Sequence, residues 1–364
     1  MYISIFKRII TVYSIMGKIF GKWVSPFFLL PLVLILRFIV FLFMILDKCF
    51  YFSLSKRSIK NPIVIVGNPR SGTTFLQRFL VNNGFGQGSQ LWQMIYPSII
   101  LQKLLKPILP LLELISPAKH HSTAAHKTSL SSVETDDVGM LFRFFDGFFL
   151  YGFFLSWSKK DLFSWVDPDI RDNSIRDFNW LESVWKRILI NSNKDRVVAK
   201  LFSVSSNCPK FQARYPDSKL LYMVRNPIDV IPSGLSLVTG VLDKKFGFWN
   251  KPKEDRNRFI SNLYNGLVEL LLRFERDWSN DKIDKDKVLI VKFDTMMSDF
   301  ESLMNEILSF TNHSSSSSLE SIIKATSDKQ KAYKSEHKYD LLKFGLTKDK
   351  IEKDCKKYYE TFIN

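Results

Sequence analysis

Cysteine and histidine are scarce in this sequence. Its 364 residues include three cysteines and five histidines. Cys49, Cys208 and Cys355 have no close spacing, so they form neither a metal-binding nor a redox motif. Such a small cysteine content excludes a scaffold held together by several disulfides, and we predict no metal site.

Motifs for nucleic-acid binding are missing, although the chain is strongly basic. Its 52 Lys and Arg residues against 36 Asp and Glu give a formal net charge of +16. We find no zinc-finger spacing, no RNA-binding signature and no basic helix with interleaved aromatic residues. We therefore expect no nucleic-acid partner. The positive charge fits phosphate ligands, an anionic membrane surface or a solvated lysine-rich surface.

A signal-peptide cleavage site is missing from the amino-terminal segment. The apolar run PFFLLPLVLILRFIVFLFMIL, residues 26–46, is long enough to cross a hydrocarbon core of about 30 Å as a helix. It is too long and starts too late for a cleavable signal, and Asp47, Lys48 and bulky aromatic residues follow it. We predict a membrane anchor within residues 1–60 and a catalytic domain over residues 61–364.

The topology of this anchor stays open at the level of sequence. Cations flank the apolar run on both sides, so the positive-inside rule gives no orientation. These cations are Lys7, Arg8, Lys18 and Lys22 before the run and Lys48, Lys56, Arg57 and Lys60 after it. The first twenty residues also fit a helix that lies along the membrane surface. A single-pass helix and a monotopic, interfacial anchor therefore both fit.

The lysine of the nucleotide-hydrolase P-loop is missing from a loop that otherwise resembles it. A buried, β-branched strand at Ile63 to Val66 leads into GNPRSGTT, residues 67–74, and then into an amphipathic helix. The two glycines have the P-loop spacing, but Thr73 stands at the lysine position. A strand, a glycine turn and a helix amino terminus point N–H groups at an anion. We expect Gly67 and Gly72 to keep side chains out of the path of that anion.

Within this loop, Arg70 can supply charge, and three hydroxyl groups can donate hydrogen bonds to a phosphate. Those hydroxyl groups belong to Ser71, Thr73 and Thr74. A P-loop kinase or hydrolase is the alternative enzyme class. The alternative that is not an enzyme is a catalytically inactive nucleotide-binding membrane protein.

A second phosphate motif follows in KLLYMVRNPIDVIPSGLSLVTG, residues 219–240. Arg225 stands at the carboxyl end of another buried strand, which is the edge where ligands collect in open α/β sheets. Ser233 follows in the next helix, so its hydroxyl and the Arg225 guanidinium fit a phosphate site. A structural arginine at the edge of the sheet is the alternative.

Both motifs resemble those of the sulfotransferase superfamily, which reads G-x-P-R-S-G-T-T in the first loop and R-N-P-x-D-V with a later serine in the second. The likeness runs from about Pro62 to the carboxyl terminus. It implies a P-loop-like three-layer α/β fold with a central parallel sheet. It also implies transfer of a sulfonate group from 3′-phosphoadenosine 5′-phosphosulfate (PAPS) to a hydroxyl or amine of a lipid, glycan or other acceptor. By that likeness, Arg70, Ser71, Gly72, Thr73 and Thr74 bind the 5′-phosphosulfate, and Arg225 and Ser233 bind the 3′-phosphate.

The resemblance also suggests catalytic residues. Lys200, at the end of a strand, would stabilise the leaving group, and a surface lysine is the alternative. The stretch HKTSLSSVETDD resembles a His…Glu-x-Asp segment of relatives, which singles out His126 and Glu134 as general-base candidates. Glu134 equally fits the start of the following helix. Because every donor motif lies beyond Pro62, we expect a chain without residues 1–55 to be soluble and to keep its nucleotide site.

Overall fold

The computed structural model describes residues 2–116, 128–332 and 341–364. The chain divides into two compact units. The first comprises Met1–Ile59, Gly88–Asp195 and Leu237–Gly266, and the second comprises Lys60–Gln87, Arg196–Ser236 and Leu267–Asn364. Residues 1–59 thus share a unit with two later stretches, and the domain boundary after residue 60 stays a prediction.

The described residues are mostly helical around four short strands. The strands are β1 Ile63–Val66, β2 Val198–Lys200, β3 Lys219–Val224 and β4 Val288–Lys292. The helices of the first half are α1 Ile5–Phe20, α2 Ser25–Phe50, α3 Ser53–Lys56, α4 Thr73–Asn82, α5 Leu91–Ile95, α6 Ile99–Leu105, α7 Leu109–Ile115, α8 Asp137–Phe144, α9 Phe148–Phe153 and α10 Ser174–Ser192. Those of the second half are α11 Cys208–Arg214, α12 Pro227–Phe246, α13 Lys253–Ser279, α14 Phe293–Ser298, α15 Phe300–Phe310, α16 Ser317–Ala332, α17 Lys348–Asp354 and α18 Lys356–Tyr358.

The second unit contains a parallel sheet with the strand order β2-β1-β3-β4. In its register, Ile65 lies opposite Lys200 on one side and Leu221 on the other. Every residue of β1 is buried, as expected for a β-branched strand between two parallel neighbours. The predicted α/β fold with a central parallel sheet is confirmed.

Helices cover both faces of this sheet because successive side chains of a strand point to opposite faces. On one face, Ile63 and Ile65 join an apolar cluster with residues of α4, α15 and α16. On the other face, the Tyr222 ring stacks on Phe274 of α13, with centroids 3.5 Å apart, and Phe362 packs beside it. The sheet is therefore the middle of three layers within the second unit, and its carboxyl edge carries the predicted phosphate loops.

The first unit contains helix α1 as part of its core, in contrast to the expectation of a separable anchor. Ile3 and Val12 are buried in one cluster with Leu150, Tyr151 and Trp165. Removing residues 1–55 would expose this cluster to water, which disfavours a soluble truncated chain. The expected soluble truncation stays a prediction. The sequence alone did not reveal this packing, since a short amphipathic helix with four nearby cations looks the same on a membrane surface and on a protein core.

The long apolar helix α2 has most of its surface exposed. It is the one helix among the described residues that is long and apolar enough to cross a membrane. Only Val40 and Asp47 are buried along its 26 residues. An exposed apolar surface of this size is typical of a surface that contacts a membrane or another protein.

Candidate functional site

The two predicted phosphate motifs meet at the carboxyl edge of the sheet. Residues 67–72 follow β1, Arg225 follows β3, and Lys200 ends β2. Because β1 lies between β2 and β3 and all strands are parallel, these residues emerge at the same edge. The chain runs from β1 to β2 on one side of β1 and then to β3 on its other side, so the strand order reverses here. Such a point is the usual place for a ligand in an open α/β sheet.

The loop after β1 has an unusual backbone. Arg70 has a φ of 79°, in the left-handed region that residues with a side chain rarely adopt. Gly67 and Gly72 also have positive φ values, of 132° and 88°. Added Cβ atoms would lie 2.8 Å from the Met223 carbonyl oxygen and 2.5 Å from the Met296 side chain, respectively. The close approach to the Met223 backbone therefore requires a glycine at position 67, and the positive φ favours a glycine at position 72, in addition to any need to leave room for an anion.

Hydrogen bonds join the two motifs. Arg70 donates from Nε to Ser233 Oγ at 3.0 Å, and Arg225 donates from its guanidinium to the Arg70 carbonyl oxygen at 2.9 Å. Ser233 is buried in α12, so its hydroxyl has a fixed position. These bonds hold Arg70 in its strained conformation and join the loop after β1 to Arg225 and Ser233.

Phe293, which the sequence analysis missed, positions Arg225. The Arg225 guanidinium lies 3.9 Å from the centroid of the Phe293 ring. Phe293 directly follows β4, so it lies at the same edge as the phosphate motifs. A stacked guanidinium keeps its charge and loses side-chain freedom, which prepares it for an anion. An aromatic residue directly after a parallel strand was the available signal.

The start of α12 is fixed by the asparagine of the R-N-P-x-D-V motif, to which the sequence analysis gave no role of its own. Asn226 accepts a hydrogen bond from the backbone N–H of Ile228 at 3.0 Å and from the Tyr359 hydroxyl at 2.6 Å. Burial raises the pKa of Tyr359, so this phenol keeps its proton at neutral pH and remains a donor. The carboxyl-terminal turn therefore supports the helix that carries Ser233.

Lys200 is buried and not a surface lysine, with 1% of its surface exposed. Its ammonium group donates to Thr74 Oγ1 at 2.9 Å. A buried ammonium group is costly unless it is hydrogen-bonded or paired with an anion. Lys200 thus brings charge to the first turn of α4, where Ser71 and Thr73 are buried as well.

The chemistry of this edge suits an anion that accepts many hydrogen bonds. Two guanidinium groups, one ammonium group and several hydroxyl groups meet there, and all of them can donate. Asn68 donates from Nδ2 to the Leu267 carbonyl oxygen at 2.8 Å, whereas its buried Oδ1 has no hydrogen-bond partner among the residues that the structure describes. In the described ranges, no group of three or more His, Cys, Asp or Glu side chains could hold a metal ion. The donors fit phosphate and sulfate groups.

Of the two general-base candidates, the structure describes only Glu134, because His126 lies outside the described residues. Glu134 belongs to the first unit, is 5% exposed and accepts a hydrogen bond from Ser132 Oγ at 2.9 Å. Helix α8 begins at Asp137, and Thr135 Oγ1 donates to the Asp137 carboxylate at 3.0 Å. The assignment of the base stays a prediction.

Comparisons with known proteins agree with this description. The sequence profile described as the sulfotransferase family matches residues 62–315. Among solved structures, the fold is similar to sulfotransferase STF1 from Mycobacterium tuberculosis H37Rv, with a TM-score of 0.70 and 18% identity over 96% of this chain and 90% of that one. It is also similar to sulfotransferase STF9 from Mycobacterium avium, with a TM-score of 0.66 and 15% identity over 88% and 81% of the two chains. No curated protein matches the sequence.

The profile match includes both phosphate motifs and Lys200, and it covers more than two thirds of the chain. The resemblance of the two motifs and the similarity of the fold lead to the same assignment. The chain therefore belongs to the sulfotransferase family.

Proposed function

We propose that this protein transfers a sulfonate group from PAPS to a hydroxyl or amine of an acceptor at a membrane surface. The observation that carries the proposal is the meeting of Arg70, Arg225 and Lys200 at the carboxyl edge of the sheet. Arg70 and Arg225 are joined by a hydrogen bond, and Lys200 is bonded to Thr74 in the adjacent helix. This concentration of cations in a member of the sulfotransferase family supports a donor with several anionic groups.

The residues of the first loop would hold the 5′-phosphosulfate through the Arg70 charge, the hydroxyl groups of Ser71, Thr73 and Thr74, and the backbone N–H that follows Gly72. Arg225 and Ser233 would hold the 3′-phosphate. A nucleotide without a 3′-phosphate carries no group for Arg225 and Ser233 to hold, which disfavours ATP and a kinase or hydrolase activity. When bound, PAPS supplies the sulfonate group, and adenosine 3′,5′-bisphosphate is the leaving group.

Lys200 would stabilise the charge that develops on the leaving oxygen, since it brings a buried ammonium group to the first turn of α4. Such a group is worth more at a site that excludes water than at the surface. Glu134 or His126 would accept the proton of the acceptor as general base. No step in this scheme requires a metal ion.

The exposed apolar helix α2 supports attachment of the protein to a membrane. We therefore propose an acceptor that is found at a membrane, such as a lipid-like molecule or a glycan. Attachment by a single-pass helix and by a monotopic anchor both bring the enzyme close to acceptors in the bilayer. We propose no partner beyond this membrane and these acceptors.

The decisive test uses membranes that contain the full-length protein and PAPS with a radiolabelled sulfonate group. Lipid, glycan and peptide acceptors are offered in parallel, and labelled products are separated by chromatography. We expect label in a lipid or glycan product, and roughly tenfold less or lower still with the Arg225→Ala variant at a PAPS concentration that does not saturate the enzyme. Transfer of γ-phosphate from labelled ATP would identify a kinase instead, and absence of both transfers with every acceptor would contradict the enzyme assignment.

A further inference from the structure

The segments on both sides of the apolar helix α2 belong to the first unit. On the amino-terminal side, Arg8 of α1 is 3% exposed and donates hydrogen bonds to the carbonyl oxygens of Phe144 and Phe145. At the end of α1, the Phe20 ring packs against Trp157 and Phe246, with centroids 5.2 and 4.6 Å apart. Helix α1 is therefore held in the first unit along its whole length.

The connection between α1 and α2 is short and folds back on α1. Gly21 ends α1 with a φ of 67°, and α2 begins at Ser25. The Trp23 carbonyl oxygen accepts a hydrogen bond from the Tyr13 hydroxyl at 3.0 Å, and the two rings pack edge to face. This connection therefore ties the amino-terminal end of α2 to α1.

The carboxyl-terminal end of α2 is fixed by a buried carboxylate. Asp47 is fully buried and forms an ion pair with Arg187 at 2.8 Å. It also accepts hydrogen bonds from Ser98 Oγ at 2.9 Å and from the N–H of Ile99 at 3.0 Å, at the start of α6. Removing one partner of such a buried pair is strongly destabilising, because it leaves an uncompensated charge. The last turns of α2 are thus part of the first unit.

Between its two ends, α2 has one face against protein and one face that no residue in the described part of the chain covers. Partly or fully buried residues recur at helical spacing, namely Leu36, Arg37, Val40, Phe43, Met44 and Asp47. Arg37 donates a hydrogen bond to the Arg143 carbonyl oxygen, so its guanidinium has a protein partner. The opposite face exposes large apolar side chains, among them Phe27, Phe28, Leu32, Ile35, Phe38 and Phe41.

These contacts conflict with a helix that crosses the bilayer. If α2 crossed, α1 would lie on one side of the membrane and Asp47 with the rest of the first unit on the other. The contacts of Arg8 and Phe20 would then be broken. Helix α2 measures about 39 Å at 1.5 Å per residue, so its length alone does not decide the question.

We infer that α2 does not cross the bilayer but lies in a single leaflet as a monotopic anchor, with both of its flanking segments on the same side of the membrane. This inference rests on the membrane attachment proposed above. The exposed apolar face contacts the acyl chains, and Lys18 and Lys22 before the helix and Lys48 near its end match anionic headgroups. The occupant of the exposed face is thus a leaflet that contains anionic lipid.

Cysteine accessibility in sealed membrane vesicles from expressing cells tests the topology of the full-length protein. Cys49 is exposed and is replaced by Ser. Cys208 and Cys355 are buried, and burial raises the pKa of Cys355 to about 12, so both react poorly with maleimides. Single reporter cysteines are then introduced as Tyr2→Cys, ahead of α2, and Lys159→Cys, in an exposed loop after it.

A membrane-impermeant maleimide is added outside, and the labelled fraction is divided by the fraction labelled in detergent. A monotopic anchor predicts equal ratios for the two positions. One position labelled and the other protected would overturn the inference.

Flotation with vesicles of phosphatidylcholine and phosphatidylglycerol tests the attachment separately. We expect the protein to float, and the double substitution Phe28→Asp and Leu32→Asp to lower the floating fraction at least tenfold. Ile175→Asp is the matched control, since Ile175 is an apolar residue of the first unit that is 80% exposed.

A wild-type protein that stays at the bottom of the gradient, or that forms a dimer through α2 in place of floating, would overturn the inference. Sulfonate transfer to a water-soluble acceptor is measured on the same preparation, so failure of the proposed activity is seen independently.

Discussion

The Arg70 guanidinium donates a hydrogen bond to the Ser233 hydroxyl at 3.0 Å, although 163 positions separate the two residues in the sequence. This bond joins the loop after β1 to the helix after β3. The two predicted phosphate motifs are therefore joined, and a change in either motif is expected to affect binding at both ends of the proposed nucleotide.

Replacing Arg225 by Ala is expected to weaken binding of adenosine 3′,5′-bisphosphate more than binding of adenosine 5′-phosphate. Only the bisphosphate carries the group that Arg225 is proposed to hold, and a hydrogen bond to a charged group contributes about 1.5–3 kcal/mol. This corresponds to a loss of roughly 10- to 150-fold in affinity. Titration calorimetry with both nucleotides measures the difference.

Because Arg225 also bonds to the Arg70 carbonyl oxygen, the monophosphate should lose some affinity as well. Ser321→Ala, at an exposed position on α16, serves as the control and should bind both nucleotides like the wild type. Equal losses for the two nucleotides in the Arg225 variant would contradict the assignment of the 3′-phosphate.

Phe293→Leu should weaken binding of the bisphosphate by about 0.5–2 kcal/mol while the net charge stays the same. The substitution removes the aromatic ring under the Arg225 guanidinium and keeps an apolar side chain of similar size. Phe75→Leu is the matched control, because Phe75 packs against the same apolar cluster as Phe293. If both variants bind the bisphosphate equally well, stacking on Phe293 has no role in positioning Arg225.

The sequence predicted the sheet and the edge at which the two motifs lie because both depend on local patterns. A short β-branched run with a glycine turn and a helix start specifies a strand, its direction and the loop that follows it. Lys200 and Arg225 stand at strand ends and Arg70 lies in the loop after β1, so parallel pairing brings them to one edge. Each of these features can be recognised within about ten residues of sequence.

What the sequence did not reveal are contacts between distant segments. The stacking of Arg225 on Phe293 and the bond from Tyr359 to Asn226 depend on how helices pack after the strands have formed. The burial of α1 has the same origin, since its apolar stripe fits a membrane and a protein core equally well. Only the positions of its partners distinguish the two, and no local pattern encodes them.

Lys200→Met should lower turnover by about 10²–10³ while binding of adenosine 3′,5′-bisphosphate changes much less. An electrostatic donor to a developing oxyanion contributes about 2.7–4 kcal/mol to the transition state. Methionine fills the buried space of the lysine without its charge, which separates electrostatics from packing. Steady-state kinetics and nucleotide titration, compared for the same preparation, test this split between turnover and binding.

A donor with a more stable leaving group should partly rescue the Lys200 variant, since less charge then needs stabilisation. Thr74→Val removes the hydroxyl that accepts from Lys200 and is expected to have a smaller effect, because the ammonium group remains. A loss of bisphosphate affinity as large as the loss of turnover would contradict a role at the leaving oxygen.

Asp146→Asn should lower the free energy of unfolding of the first unit at neutral pH by about 3–5 kcal/mol. Burial alone would raise the pKa of Asp146, but the hydrogen bond and charge of Arg171, with the charges of Arg8 and Arg176, outweigh it and lower the pKa below 3.8. The stabilisation is therefore present above the unfolded pKa and is lost as the pH falls through the folded value.

Chemical denaturation of the wild type and the variant at pH 7 and at progressively lower pH measures this contribution. The two proteins should begin to approach each other in stability below about pH 5, where the unfolded carboxyl begins to take up a proton, and should converge as the pH falls through the lowered folded pKa. Asp195→Asn is the control, because the Asp195 side chain is 98% exposed in a surface pair with Arg57. A stability difference that is independent of pH would contradict the ionic role of Asp146.

The general base is tested by His126→Ala and Glu134→Gln. The variant that lacks the true base should lose about 10²–10⁴-fold in turnover and keep the nucleotide affinity of the wild type, since proton transfer contributes only in the transition state. Glutamine keeps the size of Glu134 and an oxygen that can accept from Ser132, so the local loop should persist. A better leaving group should not rescue the base variant, in contrast to Lys200→Met.

Ser132→Ala separates positioning from proton transfer, because it removes the donor to Glu134 and leaves the carboxylate in place. If turnover stays near normal in both the His126 and the Glu134 variants, neither residue is the base, and Asp136 and Asp137 are the next carboxylates to replace.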